Sequence, residues 1–114
     1  MHEMSLAMNI VEIVREEMDR HGVKKLKAIN LAVGKMAAVA PQYLSFCFQI
    51  ITEDTSLAGT ALNIREVPLG YRCSFCGYEF TAREMTFICP RCQKTNPVLE
   101  KGGELSIENI EVAD

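Results

Sequence analysis

Two stretches of this chain decide its fold, Cys73-Ser-Phe-Cys76-Gly77 and Cys89-Pro-Arg-Cys92. Each holds two cysteines at CxxC spacing, and twelve residues separate the two pairs. A CxxC turn lets two thiolates meet one ion at about 2.3 Å, and a second such turn completes a tetrahedron. The spacing therefore predicts a zinc-ribbon-like module of about 20 residues that needs its metal in order to fold.

Other uses of the cysteines are also compatible with the sequence. A rubredoxin-like iron site takes the same four thiolates, whereas a redox CxxC of the thioredoxin kind needs only one pair. The total of five cysteines is odd, which argues against a secreted disulfide framework and for metal binding in a reducing compartment. The fifth, Cys47, is expected to be a small buried apolar residue. Three nearby arginines would either offset the double negative charge of a zinc centre with four thiolates or be solvated: Arg72, Arg83 and Arg91.

Outward from the cysteines, the chain alternates helices and strands. The first helix has an apolar stripe at three- and four-residue spacing, and the strands alternate apolar and polar residues. The predicted elements are helices over 4–20 and from Pro41, and strands over 25–33, 61–67 and 104–112. We predict an α+β fold with two helices packed on a small three-stranded sheet and an inserted zinc-ribbon-like module with four cysteines. The module covers 69–100, and the α+β domain is discontinuous, over 1–68 and 101–114.

Local details of these elements can also be predicted. Ser5 or Glu3 is expected to cap the first helix, and Gly22 is expected to end it. The second helix is expected to be largely buried, because apolar residues cover most of its circumference: Tyr43, Leu44, Phe46, Cys47, Phe48, Ile50 and Ile51. A change of alternation within the last strand predicts a β-bulge near Glu108-Asn109.

Composition and charge exclude several classes of partner. The chain carries 15 acidic and 12 basic residues, for a net charge of −3, and it has no dense basic run. Nothing in this balance supports nucleic-acid binding driven by phosphate contacts. The apolar stretches are shorter than the roughly 20 residues of a membrane span, and the amino terminus does not resemble a secretory signal. We therefore expect a cytoplasmic protein that neither spans a membrane nor binds nucleic acid.

The chain begins Met1-His2-Glu3, with a histidine directly after the initiating methionine. Three nitrogens can then form adjacent chelate rings: the α-amine of Met1, and the deprotonated amide and the imidazole of His2. Such a near-planar set of nitrogen ligands suits Ni²⁺ or Cu²⁺ rather than Zn²⁺. A frayed polar terminus is the alternative interpretation of the same residues.

Catalytic motifs are not recognisable in the sequence. There is no glycine loop for phosphate, no Gly-x-Ser-x-Gly, and the chain has only two histidines. His21 falls at the predicted end of the first helix, where interaction with the helix dipole is a better interpretation than metal ligation. We therefore expect a protein that is not an enzyme.

In combination, these motifs resemble the HypA/HybF family, the nickel metallochaperones of hydrogenase maturation. The resemblance covers almost the whole chain and includes both cysteine pairs. Outside the cysteines it is carried by Met1-His2-Glu3-Met4-Ser5-Leu6, by Val33-Gly34-Lys35, by the helix from Pro41 to Phe48, and by Gly103-Glu104-Leu105-Ser-Ile107.

The resemblance implies two metal sites and a set of partners. His2 would bind nickel together with the Met1 amine, and Glu3 would tune that site. Structural zinc would be held by Cys73, Cys76, Cys89 and Cys92. The protein would work with a HypB-type GTPase and deliver Ni²⁺ to the hydrogenase large-subunit precursor. In some relatives the partners would include urease maturation proteins.

Under this interpretation, residues 1–68 and 101–114 form a nickel-binding domain and residues 69–100 form a zinc-binding domain. The competing interpretation is a zinc-ribbon adaptor in transcription or translation, without a nickel role.

Overall fold

A computed structural model describes residues 2–84 and 86–113 of the chain. Its elements are the helices α1 (Glu3–His21) and α2 (Pro41–Thr52), and the strands β1 (Leu26–Gly34), β2 (Ala61–Val67), β3 (Leu69–Arg72), β4 (Glu79–Ala82), β5 (Val98–Lys101) and β6 (Leu105–Val112). The strands form two three-stranded sheets, in the orders β2-β1-β6 and β4-β3-β5. The predicted fold class is confirmed. Within the described ranges, no helix has the length and apolar character that a membrane crossing requires.

The chain divides into two compact units. The first contains the residues up to Ala32, Val39–Arg65 and the chain from Ser106 on, and the second contains Val33–Ala38 and Glu66–Leu105. Both helices belong to the first unit, and all four cysteines of the CxxC pairs belong to the second. The assignment of one metal to each part of the chain stays a prediction.

Helix α1 is amphipathic, as its sequence predicts, but Ile13, which falls at the predicted apolar spacing, is 55% exposed. Its buried face is made of Ala7, Ile10, Val11, Val14 and Met18. Gly22 ends the helix in the left-handed conformation, at φ 66°, and its N–H contacts the carbonyl of Asp19. The predicted capping by Ser5 or Glu3 is wrong, because the N-cap residue is His2 and no side chain caps this end. Glu3 already lies in the first helical turn, and its carboxylate accepts the Ala40 N–H instead.

Strand β1 is the central strand of the first sheet and is buried almost throughout. Ile29, Leu31 and Val33 lie on one face, as predicted. The small Ala28 and Ala32 on the other face are also buried. Asn30 lies between these two alanines in the strand and hydrogen-bonds to side chains from β2 and β6: Asn63, Asn109 and Glu111. These side chains thus form a hydrogen-bonded network across the three strands, on the same face of β1 as the buried alanines.

Helix α2 begins at Pro41, as predicted, but it is not largely buried. Leu44, Cys47, Phe48 and Thr52 face the core. Tyr43, Phe46 and Ile50 are 53%, 56% and 45% exposed. The prediction of burial is wrong because a helix at the surface of a two-layer fold can bury only one stripe. The apolar residues outside that stripe remain in contact with solvent.

The second unit is built around β3, which pairs with β4 and with β5, both antiparallel. Tyr71 of β3 lies opposite Phe80 of β4, and the register to β5 shifts between Gly70 and Tyr71. Two glycines, Gly34 and Gly102, bring separate segments of this unit together. A Cβ atom at Gly34 would overlap the backbone of Gly102, so this close approach requires glycine.

Candidate metal sites

The four cysteines lie on two turns of the same construction. In the first turn, Cys73 accepts the Gly77 N–H and donates its own N–H to the carbonyl of Tyr78, both at 2.9 Å. In the second turn, Cys89 accepts the N–H of Gln93 and donates to the carbonyl of Lys94, both also at 2.9 Å. We call these turns the first knuckle (residues 72–78) and the second knuckle (residues 89–96).

Both knuckles require the left-handed conformation at the residue after the second cysteine. Gly77 has φ 75° and Gln93 has φ 64°. Glycine adopts this conformation without strain, whereas glutamine is disfavoured there. The sequence therefore indicates the first turn through Gly77, but the equivalent role of Gln93 has no glycine to signal it.

The four sulfur atoms have the spacing of a tetrahedral metal centre. The Sγ atoms of Cys73 and Cys92 lie 3.5 Å apart, and those of Cys76 and Cys89 lie 3.8 Å apart. All four ligand atoms fall within 4.8 Å of one another. Four sulfurs bonded to one zinc at about 2.3 Å in a tetrahedron would be separated by about 3.8 Å. The arrangement therefore fits a closed zinc centre with four thiolate ligands.

Backbone N–H groups prepare the first cysteine of each pair for metal binding. The Cys76 N–H, and then the Phe75 N–H, point at the Cys73 sulfur and lower its pKa to about 6. Burial raises the pKa of Cys89, but the N–H groups of Cys92 and Arg91 outweigh it, so the net pKa is lowered. Hydrogen bonds to sulfur favour the thiolate, which is the form that binds a metal.

Cys92 differs from Cys73 and Cys89, because its pKa is raised and not lowered. The Lys94 N–H favours its thiolate, but burial and the three neighbouring thiols raise its pKa to about 11. Several thiolates in one small volume repel each other, so the last thiol keeps its proton. A divalent cation would remove that repulsion, and metal binding would then release the proton.

The predicted nickel ligands lie at the other end of the chain. His2 is exposed, and its carbonyl accepts the N–H of Leu6 at 3.0 Å, the first hydrogen bond of α1. Glu3 is half-buried, and its Oε2 accepts the N–H of Ala40 at 3.0 Å. This hydrogen bond lowers the pKa of Glu3. The Met1 amine lies outside the described residues.

Only one cluster of metal-binding side chains occurs among residues 2–84 and 86–113. It consists of the four cysteines, and no other group of three or more His, Cys, Asp or Glu comes together there. His2 and Glu3 are thus not part of a side-chain cluster. A metal bound at that end would need main-chain or amine nitrogens, as the chelate set predicted from Met1-His2 supposes.

The arginines near the cysteines have different surroundings. Arg72 forms an ion pair with Glu100 at 3.0 Å. The guanidinium of Arg91 lies over the ring of Tyr78, 5.7 Å from its centroid. Arg83 lines a cleft of about 430 Å³ in the second unit, together with Lys35 and Glu66. Sequence reasoning missed Lys94, whose ammonium lies 5.5 Å from the ring centroid of Phe75.

The chain matches one protein family along nearly its whole length. A family model described as hydrogenase/urease nickel incorporation, metallochaperone, HypA matches residues 1–112. The chain is 40% identical to the hydrogenase maturation factor HypA of Desulfatibacillum aliphaticivorans, over 100% of this chain and 88% of that relative. It is 42% identical to the same factor of Desulfosudis oleivorans, over 100% of both chains.

Solved structures resemble this chain at the level of the fold. The solution structure of the Ni metallochaperone HypA from Helicobacter pylori has a TM-score of 0.69 and 19% identity, over 98% of this chain and 97% of that one. A second solution structure, of a HypA protein, has a TM-score of 0.75 and 18% identity, over 98% and 96%. The resemblance noted from the sequence motifs is confirmed by the family match.

Proposed function

This protein belongs to the HypA family of nickel-incorporation metallochaperones, and we propose that it carries Ni²⁺ at its amino terminus and releases it to a nickel enzyme during assembly. The cargo binds through the Met1 amine and through the amide and imidazole of His2. The four cysteines hold a structural zinc. The protein acts as a carrier and performs no catalytic turnover.

The observation that carries the nickel proposal is the position of His2. Its imidazole is exposed, and it directly precedes the first turn of an ordered helix. The amino end of a helix carries a partial positive charge, which eases deprotonation of nearby amides. Planar nitrogen ligands suit Ni²⁺, and a chain terminus leaves the ion accessible to a receiving protein. Affinity order alone favours copper, so selectivity depends on metal supply and on docking.

Glu3 acts in this proposal as a positioning residue for the terminus. Its carboxylate accepts the N–H of Ala40, the residue that precedes α2. The contact ties the first turn of α1 to the start of α2, across 37 positions of sequence. The tie restricts the direction in which His2 leaves the helix. The tuning role expected of Glu3 is thus proposed to be geometric.

The zinc proposal rests on the donor set and its spacing. Four thiolates leave no open coordination position, so a zinc held there would stabilise the fold and would not activate water. Cys73, Cys76, Cys89 and Cys92 would hold the ion, and the N–H groups directed at Cys73 would keep its sulfur ionised. We expect the protein to act in the cytoplasm, because these thiols must stay reduced.

The partners follow from the family's role in nickel incorporation. We propose that the carrier works with a HypB-type GTPase and gives its nickel to the precursor of the hydrogenase large subunit. Urease maturation proteins are proposed as further recipients. The family match favours this role over the zinc-ribbon adaptor in transcription or translation.

Nickel titration of the untagged protein tests the proposal, with the two histidines as a matched pair. We expect His2→Ala to weaken nickel binding by more than about 100-fold, because it removes a ligand itself. Loss of a residue that only hydrogen-bonds to a metal ligand usually weakens binding less than this. His21→Ala is the control, because His21 is also exposed and hydrogen-bonds only to Glu17 among the described side chains.

Acetylation of the amino terminus provides a second arm of the experiment. It removes the amine ligand without changing any side chain, so nickel affinity should fall in the wild type. Equal nickel affinity in His2→Ala and His21→Ala, or no effect of acetylation, would contradict the proposed ligand set.

A further inference from the structure

The zinc-binding unit carries two exposed contacts between a cation and an aromatic ring. We call the four exposed residues that make them the knuckle face: Phe75, Tyr78, Arg91 and Lys94. Lys94 lies over the Phe75 ring at 5.5 Å, and Arg91 lies over the Tyr78 ring at 5.7 Å. Each contact joins a cation of the second knuckle to a ring of the first.

Arg91 is held at the end of a row of stacked rings. Tyr71, which is buried, stacks on Phe80 at 5.5 Å, and Phe80 stacks on Tyr78 at 5.8 Å. The guanidinium then covers the Tyr78 ring. A planar guanidinium that stacks on a ring keeps its N–H groups free for a carboxylate. Because the row starts in the core, Arg91 is presented with little loss of freedom on binding.

The cations of the knuckle face form no ion pair with a carboxylate of the described residues. The two knuckles contain Arg72, Arg91 and Lys94 and no Asp or Glu. Arg72 is paired with Glu100, whereas the ion pairs found in residues 2–84 and 86–113 include neither Arg91 nor Lys94. The face therefore offers two cations to an incoming acidic group.

An exposed apolar ring lies under one of these cations, Lys94. Phe75 is 70% exposed, the largest exposure of any large apolar side chain that the structure describes. Aromatic residues and arginine are enriched at protein interfaces, and a few such residues dominate the binding energy. The ring stays exposed although the Lys94 ammonium lies over it.

We propose that the knuckle face docks a short acidic segment of a partner protein, with carboxylates on Arg91 and Lys94 and an apolar side chain on Phe75. A nucleic acid fits less well, because the whole chain carries a net charge of −3 and the knuckle face contains only two cations. Nucleic-acid binding is driven by several phosphate contacts along a basic surface. This role lies beyond nickel binding and does not depend on it.

An NMR titration of the full, zinc-loaded chain tests the proposal at low ionic strength. The probe is a synthetic hexapeptide that alternates Glu and Leu, and a Lys-Leu hexapeptide and an oligothymidylate serve as comparisons. We expect saturable shifts with the Glu-Leu peptide at residues 73–78 and 89–96. The double variant Arg91→Gln/Lys94→Gln should weaken binding about tenfold, since each exposed charge pair contributes up to about 1 kcal/mol.

Two further variants separate this face from general charge effects. Lys24→Gln/Lys27→Gln removes the same charge from exposed positions of the first unit and should leave the affinity within about twofold. Phe75→Ser should weaken binding without disturbing the fold, because the ring is solvent-exposed. Zinc content and nickel affinity are measured on every sample, so loss of the module or of the nickel site is recognised separately.

Four results would overturn the proposal. These are an absence of saturable shifts, equal weakening by the two double variants, equal binding of the Lys-Leu peptide, or tighter binding of the oligothymidylate. The last would point to nucleic acid as the occupant.

Discussion

The cysteine centre and the proposed nickel site differ in which parts of the chain supply their ligands. The cysteine centre takes four ligands from two knuckles with the same hydrogen bonds, and its sulfurs lie within 4.8 Å of one another. The proposed nickel site takes one side chain, His2, and otherwise depends on nitrogens of the chain terminus. Four ligands from a folded module retain an ion, whereas a terminus can release one. Under the proposed function, retention of zinc and transfer of nickel are separated along the chain.

Removing a cysteine ligand should produce the largest effect. Cys73→Ser should abolish zinc binding and unfold the second unit, because structural zinc contributes roughly 10–16 kcal/mol of apparent binding free energy to such modules. Nickel binding at His2 should persist. Zinc stoichiometry, NMR spectra and nickel titration would be compared.

Cys47→Ala is the control for Cys73→Ser. Cys47 is buried in α2, outside the cysteine cluster, so the variant removes a thiol without removing a ligand. It should keep its zinc. If Cys73→Ser lost nickel binding together with zinc, the two regions would not be independent.

The two knuckles allow a smaller test inside the zinc module. Gly77→Ala should destabilise the zinc-bound module by about 1 kcal/mol, because alanine is strained at φ 75°. Apart from Gly77 and its chain neighbours, no heavy atom of the described residues lies within 4 Å of the added Cβ, so the effect would come from the backbone alone. Gln93→Gly should act in the opposite direction, by relieving the strain at φ 64°.

Chelator competition and thermal unfolding of the zinc-loaded variants measure these two changes. A Gly77→Ala variant as stable as the wild type would mean that the turn tolerates a side chain there. The left-handed conformation at Gly77 would then impose no measurable strain on alanine.

The smallest effect is expected at Glu3, where stability should depend on pH. Its pKa in the folded chain is lowered from the ordinary 4.5 by the Ala40 N–H, so the ionised carboxylate stabilises the fold above pH 4.5. That contribution is lost as the pH falls through the lowered pKa. Glu3→Gln keeps an acceptor for Ala40 but does not titrate, so the difference in stability from the wild type should narrow on acidification.

Denaturant unfolding of the wild type and Glu3→Gln across this pH range measures the difference. If the difference in unfolding free energy between the two proteins did not change with pH, the contact between Glu3 and Ala40 would not contribute pH-dependent stability. Glu3→Ala, which lacks the acceptor, should also weaken nickel binding more than Glu3→Gln does, if Glu3 positions the terminus.

Much of the fold could be predicted because its signals are local. The periodicity of α1, Pro41 at the start of α2 and Gly22 at the end of α1 all act within a few residues. The strands β1 and β2 begin and end within about one residue of the predicted bounds. The spacing of the cysteines likewise predicted which four side chains would meet.

Other features could not be predicted because they depend on distant parts of the chain. Helix α2 is exposed on one side because only the opposite side packs against the core, and the apolar composition of the helix does not reveal this. The contact between Glu3 and Ala40 joins residues 37 positions apart. Gln93 occupies a turn whose usual signal, a glycine, is present only in the first knuckle. The cation–ring contacts of Arg91 and Lys94 require both knuckles to be assembled on one centre.

Metal analysis of the untagged protein tests the central claim most directly. The wild type and His2→Ala would be loaded with zinc and nickel, desalted and analysed by mass spectrometry for both metals. We predict one zinc per chain in both proteins, and one nickel per chain in the wild type only. Retention of nickel by His2→Ala, or loss of its zinc, would contradict the separation of a transferable nickel terminus from a closed cysteine centre.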